Sequence, residues 1–295
     1  MKTNEQPHIL IIDGMALLFR SYFATSAMGH FFPNRKGIPT NGVQGFLRHT
    51  MTASTIFKPT HMAVCWDMGA HTFRNDLFEG YKANRPAPPE ELVPQFDMAR
   101  EASEVMGWKS YGEKGMEADD LIGSMIEHWD GKAKVTVVSG DKDLLQLLRP
   151  NVEIALIKKG YSEYELYTES RFIEEYGVNP VQFIDIKAFT GDSADGYPGV
   201  KGIGPKTALD FIQKYGSVDG VLAALDELTP GRRKKIEEDL DMLHLSKKLA
   251  EINCKLNVDA TIEEMNIPLY DLATKEQLEQ LDYSLVIRHA NALQQ

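Results

Sequence analysis

The chain reads as an α/β protein with a mostly parallel central sheet and a helical region behind it. Three observations carry that reading. Short apolar runs rich in isoleucine and valine alternate with segments of helical period. Those runs close, one after another, in aspartate. Beyond about residue 175 the strand signals cease and helical patterns joined by Gly and Pro breaks take over, which sets a soft domain boundary there.

The elements follow in order. Residues 8–12 form a continuously apolar run closed by Asp13, residues 61–66 a second closed by Asp67, and residues 134–138 a third that leads into Asp141 and Asp143. Residues 152–157 are a fourth. Runs without alternation suit parallel strands covered on both faces, and the carboxyl ends of such strands line one crevice. That places the aspartates beside Glu117, Asp119 and Asp120 of the GMEADD segment. There Leu121, Ile122, Met125, Ile126 and Trp129 recur at helical spacing, so the acids occupy the first turn of an amphipathic helix, where its dipole favours them. Carboxylates crowded together stay ionised only if bound charge offsets their repulsion. All-oxygen sites suit Mg²⁺ or Mn²⁺, and the pattern points to metal-assisted phosphate chemistry. Each motif alone has a plainer reading: capping for GMEADD, a solvated turn for SGDKD, and an ordinary turn for Asp192 and Asp195 in GDSADGYPG.

Between about residues 70 and 95 the regularity breaks. Arg74, Tyr81, Lys82 and Arg85 precede three prolines and a helix whose first turn is read to include Glu90 and Glu91. An aromatic beside cations, next to a strand that ends in a candidate ligand, is the equipment of a single-strand channel over the crevice. Further on, PGVKGIGPKTALDFIQKYG is a two-glycine turn followed by a periodic helix. Pro205 stands where a Walker lysine belongs, and Thr207 breaks the dinucleotide fingerprint. A helix-hairpin-helix reads better: Gly202 and Gly204 let a phosphate approach the backbone, and Lys201 and Lys206 add charge. The GRRKK run at 231–235 reads as a solvated helix start, and His61, His128 and the cysteines as packing or surface.

Composition bounds these ideas. With 43% hydrophobic and 25% charged residues the chain is ordinarily globular. Its net charge of −11 is the wrong sign for bulk attraction to nucleic acid, so such a partner needs local basic surfaces. Cys65 and Cys254 match no zinc or disulfide pattern, and the polar start MKTNEQPH precedes a run too short for a signal or a membrane span. A soluble cytoplasmic protein is expected.

The runs IIDGMALLFR, CWDMGAHTFRNDLFEGYKANRPAPPEEL, GMEADDLIGS, VVSGDKDLLQLL and FTGDSADGYPGVKGIGPKTA resemble, in order and spacing, the 5′ nuclease domain of bacterial DNA polymerase I and the stand-alone flap endonuclease or 5′-3′ exonuclease family. The resemblance spans about residues 8–255. It implies a PIN-like α/β core over residues 1–175 with a helical arch at about 70–108, and a helical DNA-binding region over 176–295 with its helix-hairpin-helix at about 185–216. It also implies two Mg²⁺ ions, replaceable by Mn²⁺. Asp13, Asp67, Glu117 and Asp119 then resemble ligands of the first, with Asp120 beside it, and Asp141, Asp143, Asp192 and Asp195 those of the second. Arg20, Arg74, Lys82 and Arg85 resemble phosphate-steering residues, with Tyr81 a stacking partner, and carbonyls around Val200 to Ile203 resemble a K⁺ site. Trp66 in place of phenylalanine and Ala194-Asp195-Gly196 in place of SDN depart from the family pattern without removing a ligand.

The activity implied is hydrolysis near 5′ ends of DNA at flaps and junctions, RNA-primed ends included, by a monomer working beside a separate polymerase and ligase in replication or repair. Three other readings compete. A haloacid dehalogenase-type phosphatase is disfavoured because Leu144 and Leu145 follow Asp143. A DNA-structure-binding protein without catalysis is disfavoured by the intact acids. An RNA-directed PIN-type nuclease shares the same chemistry.

Overall fold

The computed structural model describes residues 6–294, so the first five residues of the polar start lie outside it. The four apolar runs are strands: β1 (His8–Asp13), β2 (His61–Met68), β4 (Lys134–Ser139) and β5 (Val152–Lys159). Two further strands, β3 (Lys109–Lys114) and β6 (Glu163–Tyr167), border them in the order β3-β2-β1-β4-β5-β6. All neighbours are parallel except β6, which runs antiparallel to β5. Ile9 to Ile12 on central β1 have no exposed surface. Ile9 and Ile11 face one core, Leu10 and Ile12 the other, which is why the run shows no alternation.

One face carries α1 (Gly14–Ser26), α2 (Asn41–Phe57) and α4 (Val93–Val105), whose Leu17, Phe46 and Ala99 pack with Trp66 and Trp108. The other carries α5 (Ala118–His128), with Ile122, Met125 and Ile126 against Val135 and Val137. The stretch read as a helical arch contains only a short helix, α3 (Phe73–Leu77), then turns, then α4. Glu90 and Glu91 fall in the turn before α4 rather than in its first turn, because Pro94 sets the helix start at Val93.

The helices α6 (Glu169–Tyr176), α7 (Phe183–Thr190), α8 (Pro205–Tyr215), α9 (Val218–Ala223), α10 (Pro230–Glu238) and α11 (Leu240–Ala250) extend the α5 core through Phe172, Phe189, Phe211, Val221, Ile236 and Leu243. The last two, α12 (Leu272–Gln280) and α13 (Ser284–Leu293), return to the opposite face, where Leu278, Tyr283 and Val286 join the α2 core. The Leu285 amide donates to Gln44 Oε1 at 3.0 Å to fasten them. The helical C-terminal stretch therefore serves both faces of the sheet. Among the described residues no helix is long and apolar enough to cross a membrane.

Candidate active site

Parallel pairing with β1 at the centre brings the ends of β1, β2 and β4 level, and the acids follow. Asp13 caps α1, accepting from the Ala16 amide at 3.0 Å and from the Ser139 hydroxyl at 2.6 Å. Asp67 accepts from the Ala118 amide at 2.7 Å, so the end of β2 is tied to the start of α5. A cleft of about 240 Å³ opens there, lined by Asp13, Asp67, Glu117, Asp119 and Asp141 together with Met15, Phe19, Lys82 and Arg85. A larger groove of about 670 Å³ beside Phe73, Arg149 and Lys248 holds no such gathering of acids.

The electrostatics of the cleft are strained. Burial, then the charges of Asp67 and Asp141, pushes Asp13 up to about 7. Burial and the neighbouring carboxylates Asp141, Asp13 and Asp67 raise Asp119 well above the usual carboxylate range. Asp67 and Asp141 are raised too, with burial the leading cause in both. A donor set made only of carboxylate oxygens, four of whose aspartates are unfavourable as bare anions, matches a hard divalent cation. No three acids among the described residues are drawn tightly enough together to form a finished cage. Ion coordination here requires side-chain adjustment or water between ligand and metal, as Mg²⁺ commonly retains.

Three sequence expectations change in this environment. Asp120, expected near a metal, has no exposed surface and is gripped by Arg74 through two bonds of 2.8 Å each. It also accepts from the Asn253 amide at 2.9 Å and is not among the residues lining the cleft. Arg74, expected on a phosphate, is 2% exposed and additionally donates to the carbonyls of Leu249 and Glu251. It is a brace between α3, α5 and the end of α11. Tyr81, expected to stack on a base, is buried, and its hydroxyl donates toward Glu117 and Asp195, 3.1 Å from each. The reason is common to all three: each polar terminus finds its partner inside the protein, leaving no face for a nucleotide.

Lys82 and Arg85 do reach the cleft. Lys82 sits at φ 55°, an uncommon conformation for a non-glycine residue, and sends its ammonium 2.9 Å from Glu117. Its amide donates to the Asp195 carbonyl at 2.7 Å, while Arg85 pairs with the Asp195 carboxylate at 2.6 Å. Asn84 donates to the Ser193 carbonyl at 2.8 Å, so the turn at residues 80–85 and the acidic loop at 192–195 are stitched together. Arg20 is not among the residues lining the cleft; its guanidinium donates to the Lys158 carbonyl at 2.7 Å, at the end of β5.

The second acid group reaches the cleft through Asp141 alone, with Asp143, Asp192 and Asp195 outside its lining. Asp141 accepts from the Asp143 amide at 2.8 Å. Asp143 is pushed up to about 7 by burial and by Asp141, against the pull of Lys187. Lys187 of α7 bridges Asp143, at 2.7 Å, and Asp192. Burial opposes its charge, but these two carboxylates push it up to about 12. Burial raises Asp192 as well, yet Lys187 and the Ala194 and Asp195 amides outweigh that and hold it below its ordinary value. Sequence reasoning missed Lys187 and Ser139. The signal for Ser139 was its place at the last position of a strand that feeds the acidic loop; Lys187 had only its α7 spacing before Asp192.

The hairpin joins α7 to α8. Lys201, Gly202, Gly204 and Lys206 are exposed, and Gly204 caps α8 with Pro205 at its first position. Val200 and Ile203 are buried, and the Val200 carbonyl accepts from the Ile203 amide at 3.1 Å. The Gly202 carbonyl accepts from Lys235 Nζ at 3.0 Å. Two of the carbonyls expected to hold K⁺ are thus already engaged.

Comparison with known proteins agrees with this arrangement. The 5′-3′ exonuclease N-terminal resolvase-like domain matches residues 8–177, and the 5′-3′ exonuclease C-terminal SAM fold matches residues 178–273. The chain is 52% identical to a 5′-3′ exonuclease of Bacillus subtilis (strain 168) over 256 residues, 87% of this chain and 86% of that one. It is 37% identical to DNA polymerase I of Lactococcus lactis subsp. lactis over 267 residues, 88% of this chain but 30% of the polymerase. Among solved structures, bacteriophage T5 5′-exonuclease with bound divalent metal ions matches at TM-score 0.68 and 19% identity over 97% of this chain and 98% of that one. Flap endonuclease-1 from Methanococcus jannaschii matches at TM-score 0.60 and 19% identity, over 98% and 92%. At such identities the shared property is the fold, a PIN-like core.

Proposed function

This chain belongs to the 5′-3′ exonuclease family, and on that premise we propose that it hydrolyses phosphodiester bonds at or near 5′ ends of DNA, 5′ flaps and junctions included. It is a metal-dependent 5′ nuclease. The observation that carries the reading is the convergence of Asp13, Asp67, Glu117, Asp119 and Asp141 on one cleft, with Lys82 and Arg85 on its wall.

When bound, two Mg²⁺ ions, or Mn²⁺ in their place, would supply an activated water and offset charge on the transferring phosphate. Asp13, Asp67, Glu117 and Asp119 would hold the first; Asp141, Asp143, Asp192 and Asp195 would hold the second. Lys82 and Arg85 exchange their carboxylate partners for the phosphate as a strand enters, bringing positive charge to oxygens that become more negative in the transition state. Tyr81 keeps Glu117 and Asp195 in register across the two sets. Products are a 5′-phosphate and a 3′-hydroxyl. We place the activity in primer removal or repair, by a monomer beside a separate polymerase and ligase, in the cytoplasm, where the free Cys65 and Cys254 suit a reducing medium.

The test is cleavage of labelled 5′-flap, nicked and RNA-primed duplexes with Mg²⁺, with Mn²⁺ and with chelator. Cleavage is expected only with metal. Asp119→Asn is expected to lower the rate by a factor of about a hundred or more while junction binding persists. Cleavage in chelator, or a fully active Asp119→Asn, removes the metal reading.

A further inference from the structure

The Lys201–Gly204 turn is held from behind by one corner of the fold. Lys235 Nζ donates to the Gly202 carbonyl at 3.0 Å, and Asp239 Oδ2 accepts from the Lys201 amide at 2.7 Å. Both residues flank the end of α10, which the wholly buried Ile236 anchors. Arg232 of the same helix lies over the Phe211 ring of α8, 5.5 Å from its centroid. Gly202 has φ +76°, and a β-carbon there would stand 2.7 Å from Lys235 Nζ. A side chain at Gly202 would displace that ammonium and strain the left-handed backbone.

We propose that Lys235 is the hairpin's own cation: its ammonium on the Gly202 carbonyl, with Asp239 on the adjoining amide, sets the turn for a DNA phosphate without a bound monovalent ion. This rests on the reading of α7, the turn and α8 as a duplex grip. A bare carbonyl near a phosphate repels it, and a positive charge on that carbonyl reverses the local field. The arrangement also gives the GRRKK run a task beyond solvation. Lys234, one residue away, pairs among the described residues only with Glu238 at 3.6 Å and is a control of equal charge.

The experiment measures anisotropy of a labelled duplex in chelator, in potassium, sodium and tetramethylammonium chloride at one ionic strength. Amide hydrogen exchange of residues 201–206 is followed in the same salts without DNA. Wild-type binding is expected to be alike in all three salts, although tetramethylammonium is too large to sit among carbonyls, because Lys235 already supplies the charge. Lys235→Met is expected to bind about threefold more weakly than Lys234→Met, to exchange faster at the turn, and to recover in potassium but not in tetramethylammonium. Lys235→Arg restores both readouts. A wild type that loses binding when tetramethylammonium replaces potassium overturns the proposal, as does a Lys235→Met that matches Lys234→Met in binding and exchange. Exchange that follows Lys235 in a protein that binds no duplex supports the built-in cation and overturns the duplex grip alone.

Discussion

Arg74→Ala separates a buried brace from a phosphate contact. Arg74 is 2% exposed and Asp120 has no exposed surface, yet they share two bonds of 2.8 Å, and the same guanidinium satisfies the Leu249 and Glu251 carbonyls. Truncation leaves Asp120 a buried anion with only the Asn253 and Glu117 amides as partners. Removing one member of such a pair costs about 3–5 kcal/mol. With a urea slope of about 3 kcal/mol/M, the midpoint falls by roughly 1–1.7 M. The assay is urea unfolding by circular dichroism, beside cleavage of a flap at a urea concentration where both proteins are folded. Lys82→Ala, whose side chain is 27% exposed, is the comparison, with a loss of about 1 kcal/mol or less. Arg74→Met with Asp120→Leu recovers part of the stability, because the apolar pair strands no charge. An Arg74→Ala protein that unfolds at the wild-type midpoint but has lost cleavage refutes the brace and returns Arg74 to the substrate.

Three further outcomes are expected. Tyr81→Phe deletes the hydroxyl between Glu117 and Asp195, a loss of about 1.5–3 kcal/mol for bonds to charged acceptors; cleavage falls about tenfold with the fold intact, and an unchanged single-turnover rate would deny the bridge a role. His49 is held down to about 4 by burial and by Arg20, below its unfolded value near 6.5, so the unfolded chain binds the extra proton between those limits. Stability attributable to His49 is therefore full above about pH 6.5 and is lost as pH falls toward 4, by about 3 kcal/mol, and His49→Phe flattens that part of the thermal-midpoint profile; parallel profiles would show that it does not titrate differently on folding. Lys206→Glu weakens duplex binding and reduces its salt slope by about one, whereas an unaltered slope returns the hairpin between α7 and α8 to a plain interhelical turn.

What the sequence made legible was position, and what it hid was direction. Asp13, Asp67 and Asp141 were found because strands covered on both faces must be apolar to their ends, so a carboxylate there is conspicuous. Edge strands β3 and β6 lie under no such demand, and KSYGEK and EYELY carry no apolar run to mark them. Arg74, Tyr81 and Asp120 carried the right chemistry for a substrate channel, but a residue's type does not say whether its tip faces solvent or a partner 46 positions away, as Arg74 does. Lys187 stayed unnoticed for the converse reason: an isolated lysine in a helix looks like surface until the fold brings Asp143 and Asp192 to it. The return of α12 and α13 to the α2 face was hidden similarly, since amphipathic period states that a helix has an apolar side without saying which surface receives it.

The loop after α7 holds Asp192, Asp195 and the turn proposed to grip a phosphate on one unbroken piece of backbone. Asp195 and Gly202 are seven residues apart, which caps their separation at about 25 Å even if the chain were pulled straight. Along a B-form strand that is a reach of roughly seven nucleotides. On the proposed reading, how far from its handhold the protein can sever a strand is therefore bounded by a length of peptide, a built-in ruler whose markings are residues.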